Sequence, residues 1–267
     1  MKVFITCDME GISGISSWYL ASRKQAAYQE GRRLLTAEVN VAVAACFDAG
    51  ADEVWVRDAH SSAHNIIVDQ LDERATLIAG WPDPSAMVGE IDDSFDACIL
   101  LGYHSMAGTA DGLMCHTMTE RLKAVRVNGV AVGELGIAAL NAGAHGVPVV
   151  AVTGDAAVCR EAQALLPWVK TATVKWALAR EAARMLPLAE ARGRVAEAVK
   201  AGLEAAKTGE AKPLIFEAPL QVEVDFFYGL DAAKAAADHG GERVGSAMVR
   251  FEVPDGVALA QLIGRIC

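Results

Sequence analysis

Long apolar runs are missing from this chain. The longest apolar runs, such as that over residues 147–152, fall far short of the roughly 20 residues a membrane-spanning helix needs, so no membrane partner is expected. A secretory leader is not expected either: only residues 3–5 form an apolar stretch before Thr6, Cys7 and Asp8. Together these features predict a cytoplasmic protein. Paired cysteine motifs are also absent. The six cysteines (Cys7, Cys46, Cys98, Cys115, Cys159 and Cys267) are widely spaced with no C-x-x-C, which argues against both a zinc ribbon and a disulfide framework. Positive charge is scarce, with 24 Lys and Arg against 34 Asp and Glu. The formal charge of −10 disfavours a nucleic-acid partner, because phosphate binding depends on clustered cations. Beyond that, net charge speaks to solubility rather than to function.

What remains is ample material for a core: 267 residues, 53% of them hydrophobic. Short β-branched runs predict strands over 2–7, 53–57, 75–79, 97–101 and 148–153. Leu35, Val39, Ala42 and Cys46 recur at helical spacing and predict a helix over 32–49, stopped by Gly50. Asn128-Gly129 predicts a tight turn between strands at 122–127 and 130–132, and Glu134 opens a helix reaching about residue 142. From Asp155 the composition reads as Ala-rich helix, with a long amphipathic stretch over 189–207. Strands near 214–217, 222–226 and 247–252 and helices near 230–237 and 256–266 follow. The expected fold class is α/β, a mainly parallel sheet flanked by helices with a smaller α+β carboxyl-terminal portion. The chain divides in this reading into an α/β catalytic domain over 1–207 and a portion over 208–267 that packs on it or mediates assembly.

Polar residues gather at the predicted strand ends. Asp8 and Glu10 follow the first strand, His60 the second and His104 the strand at 97–101, while Glu134 begins a helix. In open α/β sheets, ligands bind beyond the carboxyl ends of the strands. Each residue alone has a plain explanation: a polar loop for Asp8 and Glu10, a solvated turn for His60, and a favourable helix-dipole contact for Glu134. Their shared rim suggests metal binding, since zinc takes imidazole nitrogen and carboxylate oxygen. In a two-metal arrangement Asp8, the shorter carboxylate at the strand tip, would bridge. Glu10 and His60 would complete one metal, and His104 and Glu134 the other. Such ligands also suit manganese, cobalt or iron.

The strings Asp8-Met9-Glu10-Gly11-Ile12-Ser13-Gly14, Asp58-Ala59-His60-Ser61, Leu101-Gly102-Tyr103-His104, Met114-Cys115-His116-Thr117-Met118 and Asn128-Gly129-Val130-Ala131-Val132-Gly133-Glu134-Leu135-Gly136 resemble, in order and spacing, the zinc-dependent D-aminopeptidase family associated with a bacterial dipeptide-transport operon. The resemblance runs from residue 1 past Lys175 and weakens in the carboxyl-terminal third. It implies two Zn2+ per subunit on Asp8, Glu10, His60, His104 and Glu134, with His116 as the catalytic histidine. It also implies a short-peptide substrate with a D-residue, D-alanine foremost, at the amino terminus, and a ring-shaped homo-oligomer of the homodecamer kind. Two rival readings keep the metal site: a dinuclear amidohydrolase acting on a small or cyclic amide, and a non-catalytic metal- or peptide-binding module. Glu10, Asp58 and Asp155 are candidates for holding the substrate α-ammonium. Lys175 reads either as a buried charge partner or as a snorkelling surface residue.

Overall fold

The computed structural model describes residues 1–81 and 86–267. The chain runs β1 (Lys2–Cys7), α1 (Trp18–Ala21), α2 (Tyr28–Asp48), β2 (Glu53–Asp58), β3 (Ala75–Ile78), β4 (Ala97–Tyr103), β5 (Leu122–Val127), β6 (Val130–Ala131), α3 (Glu134–Ala144) and β7 (Val149–Asp155). It continues through α4 (Ala156–Leu165), β8 (Lys170–Ala179), β9 (Ala182–Met185), α5 (Leu188–Lys207), β10 (Leu220–Phe226), α6 (Gly229–His239), β11 (Glu242–Arg243), β12 (Met248–Val253) and α7 (Gly256–Ile266).

A seven-stranded sheet of order β3-β2-β1-β4-β7-β8-β9 forms the main body, parallel except for the β8–β9 pair. Its central strands are buried on both faces, as parallel strands covered by helices must be. Along β1, Val3, Ile5 and Cys7 point into one core with Val39 of α2 and Val195 of α5. Phe4 points the other way, into a core with Leu135 of α3 and Val158 of α4. A second sheet, antiparallel and of order β11-β12-β10-β5-β6, packs on α3 and α7 through a third core. Helix α3 therefore serves two layers: Leu135 and Ala138 face the main sheet, Ile137 and Leu140 the smaller one. The smaller sheet takes β5 and β6 from the middle of the chain, so a boundary at 207/208 follows element order and not sheet membership.

Three local expectations differ from the structure. Helix α2 begins at Tyr28, a turn earlier than its apolar stripe suggests. The Ala-rich stretch after Asp155 is not continuous helix: α4 stops at Leu165, just before Pro167, and the chain returns as β8, where Ala172 and Val174 are buried between neighbouring elements. Alanine is small enough for that crowded strand, and tertiary context overrides its helix propensity. Residues 214–217 are not a strand. They lie across α3, where a Cβ on Gly143 would sit 2.0 Å from the Leu214 carbonyl oxygen.

Register and connectivity place the site. Cys7 is level with Asp58 on β2 and with Leu101 on β4, so the chain segments that follow all three strands leave the sheet at one height. The connections from β1 lead to β2 and β3 on one side, while β4 lies on the other. A crevice forms at such a reversal. The two loops beside it touch: the Gly11 N–H donates to the Gly102 carbonyl at 2.7 Å, and a Cβ on Gly11 would lie 2.0 Å from the Tyr103 carbonyl oxygen. Gly102 itself holds φ +70, a left-handed conformation that glycine adopts without strain.

Lys175 locks the first loop from within. It is fully buried, and its Nζ donates to the carbonyls of Glu10 (2.6 Å), Ile12 (2.8 Å) and Ile15 (2.5 Å). All three ammonium protons are thereby used, and the surface reading of this residue is excluded. Burial lowers its pKa to about 8, against the attraction of Glu38 and Asp155. Lys175→Met would leave the buried carbonyls of Glu10 and Ile15 without a donor, each costing about 1–3 kcal/mol, while that of Ile12 keeps the Ile15 N–H. We expect a melting temperature lower by roughly 6 °C or more; thermal denaturation of the variant at the wild-type midpoint would contradict this account of the loop.

Candidate metal centre

Five side chains converge at the crevice. Asp8, Glu10, His60, His104 and Glu134 are all at least 94% buried. His60 Nδ1 lies 3.1 Å from Asp8 Oδ1 and 3.0 Å from Glu10 Oε2. His104 Nε2 lies 3.3 Å from both Asp8 Oδ2 and Glu134 Oε1. Asp8 thus turns one oxygen to each histidine, the disposition a bridging carboxylate needs.

The histidine tautomers decide what the cluster can hold. His60 Nε2 is 2.9 Å from the Ala21 carbonyl, and His104 Nδ1 is 3.0 Å from the Ser105 carbonyl. A carbonyl only accepts, so each of these nitrogens carries its proton, and in the neutral ring the other nitrogen is a lone pair. Both lone pairs then face carboxylate oxygens across about 3 Å. Acceptor facing acceptor is repulsive unless a cation lies between. The buried atoms Asp8 Oδ2, Glu10 Oε2 and His104 Nε2 accordingly have no hydrogen-bond partner. Backbone carbonyls orienting imidazoles in this manner are the usual support of metal-binding histidines.

Electrostatics point the same way. Burial and the neighbouring Glu10 push the Asp8 carboxyl up to about 7. Burial works against charge on His60, but Glu10 and Asp8 outweigh it and raise its affinity for a proton well above the ordinary value. For His104 the same contest is won by Glu134 and Asp8. Burial opposes the charge of Glu10, yet His60 and His104 hold its pKa well below the usual range. Three buried carboxylates therefore draw positive charge into the cluster, and protons and metal ions compete for it.

His116 stands beside these five. Its ring stacks on His104 with centroids 4.1 Å apart and planes 13° from parallel, and Trp18 covers it at 5.3 Å. The Met114 carbonyl accepts from Nδ1 at 2.8 Å, which leaves Nε2 as the basic nitrogen, 3.6 Å from Glu134 Oε1. Burial and the His104 ring both lower its pKa. Potential ligand atoms of His104, His116 and Glu134 lie within 4.8 Å of one another, as do those of Asp8, Glu10 and His104. Glu134 Oε1 also accepts from the Met118 N–H at 2.6 Å, which ties the loop carrying His116 to the start of α3.

Two of the candidates for the substrate ammonium are committed elsewhere. Asp58 accepts from the N–H groups of Asn65 and Ile66 and from the Asn65 side chain. Asp155 caps α4 through the Val158 N–H and holds the Leu113 N–H as well. Only Glu10 of the three belongs to the cluster. Sequence reasoning did not find Trp18, nor the orienting carbonyls of Ala21, Ser105 and Met114; a backbone carbonyl leaves no trace in residue identity. A cavity of about 890 Å³ opens over the cluster, lined also by Trp18, Trp81, Met118 and Arg180.

Comparison with known proteins gives the family. The family model described as Peptidase_M55, D-aminopeptidase, matches residues 1–264. A D-aminopeptidase of Bacillus subtilis (strain 168) is 35% identical over 256 residues, which is 96% of this chain and 92% of the relative. A solved structure, the Zn-dependent D-aminopeptidase DppA from Bacillus subtilis, described as a self-compartmentalizing protease, superposes with a TM-score of 0.95 at 34% identity, covering all of this chain and 96% of the other. With a match over almost its whole length, this chain belongs to the M55 D-aminopeptidase family.

Proposed function

We propose that this chain is a zinc-dependent aminopeptidase that hydrolyses the amino-terminal peptide bond of short peptides, with a D-residue, D-alanine foremost, at the amino terminus. Asp8, Glu10, His60, His104 and Glu134 would hold two zinc ions per subunit, Glu10 and His60 one of them, His104 and Glu134 the other, and Asp8 would be shared. The observation that carries the reading is the backbone carbonyl beside one ring nitrogen of His60 and of His104, which turns the other nitrogen toward buried carboxylate oxygens. Similarity to a zinc-dependent D-aminopeptidase supports the choice of metal and of stereochemistry.

When bound, the two ions supply Lewis acidity and a water acidic enough to ionise near neutral pH. The protein's part is placement and proton transfer. His116 Nε2 is the free base at the cluster, its ring clamped between His104 and Trp18. It takes the proton of the attacking water and returns it to the leaving amine. Its lowered pKa keeps it neutral and ready to accept. The Met114 carbonyl holds Nδ1 protonated through both steps.

We also propose a homo-oligomer, of the homodecamer kind, located in the cytoplasm. The related structure is described as self-compartmentalizing. Phe227, Tyr228 and Leu230 lie together on the smaller sheet's side and are 59%, 69% and 85% exposed, an apolar face that a second copy can cover. The six cysteines are free and none is fully exposed, as suits a reducing compartment.

Two outcomes are expected. His116→Ala should keep its full metal content, measured by elemental analysis, and lose about 100-fold or more in kcat on a D-alanyl dipeptide; turnover at the wild-type rate would remove the histidine from the mechanism. Native mass spectrometry should record ten times the chain mass, and a monomer at working concentration would contradict the assembly.

A further inference from the structure

The cavity over the cluster carries far more acidic than basic side chains. Asp8, Glu10, Glu120, Glu134 and Glu181 all line it, and Arg180 is the one Lys or Arg among its described lining residues. A short peptide enters with an ammonium at one end and a carboxylate at the other. Away from the cluster, where bound zinc would offset Asp8, Glu10 and Glu134, the acidic and basic side chains lining the cavity are Glu120, Glu181 and Arg180, and of these only the guanidinium can bind that carboxylate, in a two-pronged contact.

The backbone beneath Arg180 is fixed relative to His116 from two sides. Arg180 and Glu181 form the turn between β8 and β9. The Arg180 carbonyl accepts from the Met114 N–H at 2.8 Å, and Met114 is the residue whose own carbonyl accepts from His116 Nδ1. Glu181 Oε2 accepts from the Trp18 N–H at 3.2 Å, and Trp18 packs on the His116 ring. The guanidinium head, by contrast, is lightly held. Its partner is Glu120 Oε1 at 2.5 Å, and the two side chains are 57% and 67% exposed. An ion pair that open to water is weak and exchanges readily.

We propose that Arg180 binds the free terminal carboxylate of the substrate, displacing Glu120, and so selects peptides short enough to reach it from the metal centre. This rests on the aminopeptidase reading above. Glu120 occupies the guanidinium between turnovers, and Glu181 disfavours a carboxylate beside it.

The test compares kcat/KM for D-Ala-D-Ala and for its carboxyl-terminal amide, using the assembled enzyme in wild-type, R180M, R180K and E120Q forms. Wild type should favour the free acid by about tenfold or more. R180M should bring that ratio close to one, chiefly through KM for the acid, R180K should restore part of it, and E120Q should lower KM for the acid. A ratio unchanged in R180M, including the case in which both substrates decline together, would overturn the proposal and leave Arg180 a structural residue. Equal use of acid and amide by wild type would overturn it as well. If wild type cleaves neither substrate, the aminopeptidase reading falls and this proposal falls with it.

Discussion

Three carboxylates are buried within hydrogen-bonding reach of two imidazoles whose lone pairs face them, and the rest of the molecule is arranged around that unfavourable charge. Burying an ionised carboxylate without a partner is too costly to persist. The cluster of Asp8, Glu10 and Glu134 is therefore stable only with positive charge supplied to it. Protons on His60 and His104 meet the need in part, and divalent cations meet it more fully. The chemistry proposed for the site follows from the same imbalance, because a pocket built to concentrate cations is also one that polarises what binds to them.

The fold supplies what so charged a site requires, a rigid frame. The five clustered side chains come from the ends of β1, β2 and β4 and from the first turn of α3, elements locked in buried cores on both faces of the sheet. Between these elements and the site lies a layer of backbone. The carbonyls of Ala21, Ser105 and Met114 set the three ring orientations, and Lys175 pins the carbonyls of Glu10, Ile12 and Ile15. This layer is polar but almost free of side-chain acceptors. It can orient imidazoles without adding to the negative charge already present.

The half of the molecule that carries the acidic cluster was legible in the sequence, and for a physical reason. Parallel strands buried on both faces read as short β-branched runs, and a polar residue directly after such a run falls at the sheet edge by necessity. Asp8, His60 and His104 could be placed at one rim on that argument. The turn at Asn128-Gly129, with φ of 49 and 81, was legible for an equally local reason. Strand β8 was not, because alanine-rich sequence has no strand signature of its own and only the packing of Ala172 and Val174 between neighbours makes it one. Lys175 was ambiguous for the related reason that its partners are carbonyls 160 to 165 residues away along the chain. Trp18 and Arg180 reach the site from opposite ends of the α/β portion, and no spacing rule joins them.

The central claim is that the buried acidic cluster holds two metal ions astride Asp8. Anomalous diffraction from crystals of zinc-loaded protein, recorded above and below the zinc edge, tests it most directly. Two peaks about 3.5 to 4 Å apart, one beside Glu10 and His60 and the other beside His104 and Glu134, are the result expected. A single peak, or peaks elsewhere with the cluster unchanged, would contradict the two-metal centre and the role given to Asp8.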